Sequence, residues 1–491
     1  MASLRIRLAK GARWTVSIRV VERVIGFVST LILARLLAPQ DFGVVAMGTA
    51  IQEILAAVTS FGFTQALIRM RGRDHAAYST AFTLHVITGT LIALVLLASI
   101  PAALRWYGDP RVTNVLLILA ATSFITGFRN SGMVRYERAL HFRPFFSIAL
   151  ARKLSSFGTG AVFALIWGDY RALLAGMLVG AIVETAITYR LTRFRPRFTL
   201  ARSRELLGFS IWWLGSQVSM MLGRRGQDLL VGQRLGAEPL GQYGVALDLA
   251  TMASTEIVAP VMRAVYPGYM QMQNDPGRLS SAFVRVWGVI ALLTIPSATG
   301  IACLSAMVTD VVLGPQWHAA APLMALLAPI GTLQAMVSCF WPLLLTRRGP
   351  RANFWLAALG FALSIPAFAI ALWQVGLVAA IWAWIGALVV VVCAGVRMLS
   401  RDLRGSTPQL LKALMRPAIG AAAMAVSLLT ILPMSSPPDQ WILKAVTLLL
   451  LIAFGALVYT STVAGLWFLA GRPRSAEAEL LFAMAARLKG A

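Results

Sequence analysis

The sequence predicts an all-α polytopic membrane protein of about fourteen transmembrane helices. Three observations carry that expectation: a composition too apolar for a water-facing surface, evenly recurring apolar windows, and basic loops on alternate sides. The chain has 491 residues, 58% hydrophobic and 13% charged, with a mean hydropathy of +0.75. Soluble domains carry about 25% charged residues. So little charge excludes a disordered chain, a secreted disulfide scaffold and an ordinary cytosolic enzyme.

A helix needs about 20 apolar residues to cross the hydrocarbon. Such windows fall at 14–36, 43–66, 79–104, 112–133, 146–167, 171–191, 208–232, 242–266, 283–309, 319–345, 353–373, 377–398, 411–432 and 441–469. The first carries Arg19, Glu22 and Arg23 and the eighth Asp248 and Glu256, so these two are the least apolar. The basic N-terminus lacks a small-residue cleavage site after a short apolar core, and the expectation is an uncleaved first span.

The loops give the orientation. Arg5, Arg7, Lys10 and Arg13, then Arg69, Arg71 and Arg73, then Arg129 to Arg143, then Arg190 to Arg204, all fall on one side of the alternation. The opposite loops hold Arg35, Arg105, Arg111, Arg171 and Arg234. Cytoplasmic loops are enriched in Lys and Arg. An even span number with both termini cytoplasmic follows, and it accounts for most of the net charge of +25 without a nucleic-acid partner. Trp14, Trp106, Trp167, Trp212, Trp317 and Trp441 stand near span ends, where an interfacial aromatic belt would place them. With no long loop, the chemistry belongs within the bilayer rather than to a soluble domain.

The three cysteines, Cys303, Cys339 and Cys393, lie in apolar runs and read as small core residues. The four histidines are scattered singly, so no metal site is expected.

An internal repeat sets the domain plan. Arg35-Leu-Leu-Ala-Pro-Gln-Asp-Phe42-Gly43 and Arg234-Leu-Gly-Ala-Glu-Pro-Leu-Gly-Gln-Tyr243-Gly244 both run Arg-Leu, turn, aromatic, Gly. Matching Phe42-Gly43 to Tyr243-Gly244 separates the copies by six spans, an even number, so the halves are parallel repeats about an axis along the membrane normal. The expected domains are an N-lobe over 1–200, a C-lobe over 201–405, and two appended helices with a tail over 406–491. Substrate would bind where the lobes meet and the lobes would rock around it.

Four stretches carry a family resemblance: the Arg35 segment, Ser60-Phe-Gly-Phe-Thr-Gln-Ala-Leu-Ile-Arg69, Asp228-Leu-Leu-Val-Gly-Gln-Arg-Leu-Gly236 and Leu313-Gly-Pro-Gln-Trp317. Over residues 10–400 the chain resembles the Wzx-type polysaccharide flippases of the multidrug/oligosaccharidyl-lipid/polysaccharide exporter superfamily. The resemblance implies a twelve-helix core in two lobes plus two extra helices. It implies no enzyme activity, but movement of an undecaprenyl-pyrophosphate-linked oligosaccharide from the cytoplasmic to the periplasmic leaflet of a bacterial inner membrane. Exopolysaccharide or lipopolysaccharide assembly, alongside a polymerase and chain-length proteins, is the implied setting.

Charge inside the membrane is the functional signal read from the residues themselves. Each mid-bilayer charge costs about 2.5–3.5 kcal/mol on insertion scales. Arg19 and Arg23 share one helix face, and Arg224, Arg225 and Asp228 form a similar set in the seventh span, with Arg224 and Asp228 four apart on one face. Guanidinium binds phosphate oxygens bidentately, so Arg19, Arg23, Arg224 and Arg225 are the candidate substrate ligands. Arg19 snorkelling to the interface, and Arg224 and Arg225 serving the outer interface, are the bland alternatives. Gln52, Gln217, Ser219, Gln334 and Ser338 could meet sugar hydroxyls. Glu22, Glu53, Asp228 and Glu256 are candidate ion-coupling groups, with H+ or Na+ as the coupling ion and no other cofactor. Structural pairing with arginine is their competing role. Glu184 and Asp248 are further intramembrane acids.

Two other functions compete. A multidrug/cation antiporter would want an acidic, aromatic cleft, and this one reads as basic. A sugar polymerase or ligase would want a long outer loop. A P-loop for ATP is not found in the sequence.

Overall fold

A computed structural model describes residues 2–59, 63, 67, 75–139, 141–203, 205, 211–400, 407–433 and 440–471. The described residues form helices with no strand. In chain order they are α1 (Ala2–Leu36), α2 (Pro39–Val58), α3 (His75–Tyr107), α4 (Arg111–Gly127), the short α5 (Val134–Arg138), α6 (Arg143–Trp167), α7 (Arg171–Leu191), α8 (Ile211–Leu235), α9 (Ala237–Gln271), α10 (Pro276–Val308), α11 (Ala320–Arg348), α12 (Pro350–Gln374), α13 (Leu377–Leu399), α14 (Thr407–Ile431) and α15 (Trp441–Leu469).

Each of the fourteen apolar windows falls on a helix. Nine of these helices are long and apolar enough to cross a membrane, and α4 with the 131–138 segment, bent by 55°, makes a tenth. The other four, α1, α6, α8 and α9, are more polar, and they carry most of the charges discussed below.

The chain divides into two compact units, Met1–Gly241 and Gln242–Ala491. In the first, α7 packs along α6, α4 along α3, α1 along α6, and α8 along α2. Thus α8, expected to open the second lobe, is part of the first unit. Small residues let these backbones approach, as in other membrane bundles. A Cβ at Gly89 would stand 2.9 Å from the Gly127 Cα, and one at Gly176 3.3 Å from the Gly160 backbone nitrogen. Helix ends are fixed by specific groups. Asp41 Oδ2 accepts from the Ala38 amide at 3.0 Å and its Oδ1 from the Tyr170 amide at 3.1 Å. One buried carboxylate therefore satisfies orphan donors at the starts of both α2 and α7.

The closest approach joins the starts of α2 and α9. A Cβ on Gly43 would overlap the Ala237 carbonyl, and a Cβ on Gly241 would overlap the Pro39 carbonyl and lie 3.0 Å from the Gly43 amide nitrogen. Each glycine meets the residue four places before the other. This corrects the register of the repeat: Gly43 corresponds to Gly241, whereas a Cβ on Gly244 would meet nothing within 4 Å. The sequence match followed the aromatic Tyr243; the backbone contact follows the glycine.

In the second unit, Phe283 and Trp287 of α10 and Phe340 of α11 form an aromatic core, with Trp287 and Phe340 centroids 5.5 Å apart. The last two helices are docked on this unit. The Tyr459 hydroxyl donates to the Leu292 carbonyl of α10 at 2.7 Å. Beyond α10 the chain makes one π-turn, Thr309–Leu313. There Lys444 meets Asp310 at 2.8 Å and Trp441 Nε1 donates to the Val311 carbonyl at 2.9 Å.

Two expectations are corrected here. Trp317 is fully buried rather than set in an interfacial belt, because it closes the turn between the π-segment and α11. Cys339 is buried, but Cys393 is exposed on α13; in a membrane chain an apolar run does not separate the core face from the outer face.

A candidate intramembrane charge site

The first unit holds two groups of charged side chains inside its helices. One is built by α1, α4, α6 and α7. Glu22 of α1 pairs with Arg152 of α6 at 3.0 Å. Arg152 Nε lies 3.8 Å from Glu184 of α7, and Glu184 accepts from Arg129, just past α4, at 2.7 Å. Lys153 stands next to this chain, its Nζ 3.8 Å from where a Cβ on Gly26 of α1 would be, and within electrostatic range of Arg152, Glu22 and Arg23. At 1.5 Å per residue Lys153 is about 15 Å into α6, near mid-bilayer depth. Among the described residues its ammonium makes no hydrogen bond or ion pair.

In this group Glu22 and Glu184 pair with Arg152 and Arg129, and among the described residues Lys153 is left beside them with no acidic partner in contact. Self-paired charge of this kind tolerates burial; excess charge does not, unless water or an anion reaches it.

The second group joins α2 to α8. Arg225 Nε donates to Glu53 Oε2 at 2.7 Å and Arg225 Nη2 to Glu53 Oε1 at 2.8 Å, a bidentate pair. The remaining nitrogen, Nη1, donates to Asp228 at 2.9 Å. Asp228 is 5% exposed. Beside it on α8, Gln227 is fully buried, and neither of its amide atoms has a partner among the described residues. A guanidinium so engaged is a tie between helices, since phosphate could reach it only after Glu53 or Asp228 let go.

The sequence-predicted residues are thus distributed unevenly. Glu53, Arg225 and Asp228 come together. The four-residue spacing of Arg224 and Asp228 predicts a shared face; the structure instead pairs Asp228 with Arg225 and leaves Arg224 exposed. Glu22 and Arg23 stand by the first group. The Arg19 side chain lies outside the described residues. Glu256 and Asp248 are exposed on α9 in the second unit. Gln52 ties α2 to α4 through Ser123 Oγ at 2.8 Å and the Leu119 carbonyl at 3.3 Å, and Ser338 donates within its own helix to Ala335.

Arg152 and Lys153 were missed from sequence. Their signal is two adjacent cations seven and eight residues into the 146–167 apolar window.

Comparison with known proteins places the chain. A family model described as polysaccharide biosynthesis protein matches residues 32–322, more than half of the sequence. The chain belongs to this family. Among its relatives, the succinoglycan biosynthesis transport protein ExoT of Rhizobium meliloti is 26% identical over 67% of both chains. The lipopolysaccharide biosynthesis protein WzxC of Escherichia coli is 23% identical over 75% of this chain and 76% of its own. The teichuronic acid biosynthesis protein TuaB of Bacillus subtilis is 24% identical over 94% and 95%. Of solved structures, the lipid II flippase MurJ in an inward closed conformation superposes with a TM-score of 0.72 at 13% identity, covering 93% of this chain and 99% of MurJ. An inward-facing multidrug transporter of the MATE family gives 0.59 at 16% identity, over 80% and 96%. The polysaccharide-family member therefore shares the polytopic helical fold of both transporter types.

Proposed function

We propose that the protein is a flippase that carries a polyprenyl-diphosphate-linked oligosaccharide across a bacterial inner membrane by alternating access, for exopolysaccharide or lipopolysaccharide assembly. Both termini face the cytoplasm in this reading, which the basic loops support. The observation that carries the reading is Lys153, deep in the helices of a polysaccharide-family chain and, among the described residues, without a hydrogen bond or ion pair. A diphosphate esterified at both ends bears one negative charge on each phosphate, and the Lys153 ammonium meets one of them. The names of ExoT, WzxC and MurJ support a transported, lipid-linked cargo. The same buried ammonium disfavours an antiporter for organic cations.

Arg23 and Lys153 hold the diphosphate, while Arg152 is positioned by Glu22 and Glu184. Coupling to H+ or Na+ acts at the Glu53–Arg225–Asp228 tie, where two carboxylates share one guanidinium and either can take a proton or cation when it lets go. A polymerase and chain-length proteins take up the delivered unit.

The test uses proteoliposomes loaded with a short fluorescent polyprenyl-diphosphate-oligosaccharide, scored by a membrane-impermeant glycosidase. Lys153→Ala should insert and melt like the native protein yet lose at least about tenfold in flipping rate, the worth of about 1.4 kcal/mol of anion binding. Lys153→Arg should keep most of it. Native flipping by Lys153→Ala would retire the reading.

A further inference from the structure

Between α7 and α8 the chain leaves the last helix of the first half as an extended segment, residues 192–200, and does not wander into solvent. It is stitched to the start of α3. The Arg197 amide donates to Ser79 Oγ at 3.3 Å, the Thr199 amide to Thr83 Oγ1 at 3.0 Å, and the Arg202 amide to Thr80 Oγ1 at 3.4 Å. Asn130 Nδ2 donates to the Phe194 carbonyl at 2.8 Å. The Phe194 ring is buried beneath the Arg135 guanidinium, 4.7 Å from its centroid.

The inner face is thereby used up, and the outer face has an unusual make-up. Arg193, Arg195 and Arg197 are exposed, and among the described residues none of them has a carboxylate partner. Just beyond them Phe198 is 69% exposed and Leu200 52% exposed. An Arg ladder followed by bare apolar side chains suits neither bulk water nor hydrocarbon.

Geometry puts this ridge at the boundary between the two. α3 has 33 residues, a length of about 50 Å, against a hydrocarbon thickness of about 30 Å. With Arg105, Trp106 and Tyr107 marking one interface, the hydrocarbon covers about twenty residues back from them, and Ser79 to Thr83 then lie at headgroup level on the other side. The segment also begins one residue after the apolar helix α7.

We propose that this strap is a docking surface for anionic phospholipids, with Arg193, Arg195 and Arg197 on headgroup phosphates and Phe198 and Leu200 inserted among the upper acyl chains. It pins the connection between α7 and α8 to the leaflet. The negative surface potential of an anionic leaflet attracts basic residues, and buried apolar side chains add to that hold.

The experiment is independent of what the protein transports. In full-length protein with Cys303, Cys339 and Cys393 replaced by Ala, Phe198→Cys carries an environment-sensitive fluorophore. It is reconstituted in vesicles of equal phosphatidylglycerol and phosphatidylcholine, with the nitroxide quencher on one lipid or the other. Quenching by the phosphatidylglycerol nitroxide should exceed that by phosphatidylcholine at least about threefold. Arg193→Gln/Arg195→Gln/Arg197→Gln, or raised salt where that variant does not fold, should bring the two to parity. Equal quenching in the native background, or none from either lipid, overturns the proposal.

Discussion

Gly241 sits against the Pro39 carbonyl, and Gly43 against that of Ala237, so the starts of α2 and α9 touch through backbone alone. The contact is reciprocal, and neither side has room for a methyl group. Gly241→Val should force the two helix starts apart. Overpacking of this kind costs about 1–3 kcal/mol, read as a lowered midpoint in thermal unfolding in detergent. Gly244→Ala, seven residues along the same repeat match from Ala237, should leave the midpoint unchanged. Equal effects of the two would remove the corrected register.

Arg225 joins Glu53 to Asp228. Arg225→Ala removes the guanidinium that both carboxylates share, one half-buried and one buried, a loss of about 3–5 kcal/mol. Glu53→Gln in the same chain should recover part of it. A double-mutant cycle checks this, and a coupling energy indistinguishable from zero would mean that the pair does not hold α2 to α8.

Lys153 and Arg152 are adjacent but should behave differently. Arg152→Ala breaks pairs with Glu22 and Glu184, so accumulation and thermal midpoint should both fall. Lys153→Ala breaks no pair among the described residues, so stability should hold while flipping falls. Midpoint and glycosidase accessibility, measured on both variants, separate the roles; identical profiles would place both residues in structure.

Asp109 lies in the turn between α3 and α4. Burial pushes its carboxyl up, but hydrogen bonds from the Arg111 side chain and amide, with the Arg111 charge, outweigh burial and hold it below the usual range. The Arg111 fork reaches it at 2.8 and 3.0 Å. A depressed carboxylate adds stability above its unfolded value and loses it as pH falls through the folded one. Asp109→Asn should therefore lower the thermal midpoint slightly at neutral pH, with the difference vanishing in acid. A difference that grows in acid would reverse the sign and refute the assignment.

Much of this was legible from the chain. Apolar windows mark all fourteen helices because crossing hydrocarbon leaves the backbone no other way to satisfy its hydrogen bonds than by closing them within each segment. The stretch from residue 32 to 322 carried the family. The charges of Glu22, Arg23, Glu53, Arg225 and Asp228 stood out because charge in an apolar run is costly and so is kept for a purpose.

Partnership was decided in three dimensions. Nothing in the spacing says that Arg225 turns to Glu53, 172 positions away, rather than leaving the acid to Arg224, since that choice depends on α2 lying along α8. Nor does spacing show that Arg152 is consumed by Glu22 and Glu184 while its neighbour Lys153 is spared. One-dimensional order fixes how much charge a helix must hide; only the packing of one helix on another determines which of those charges are cancelled and which are left to meet a ligand.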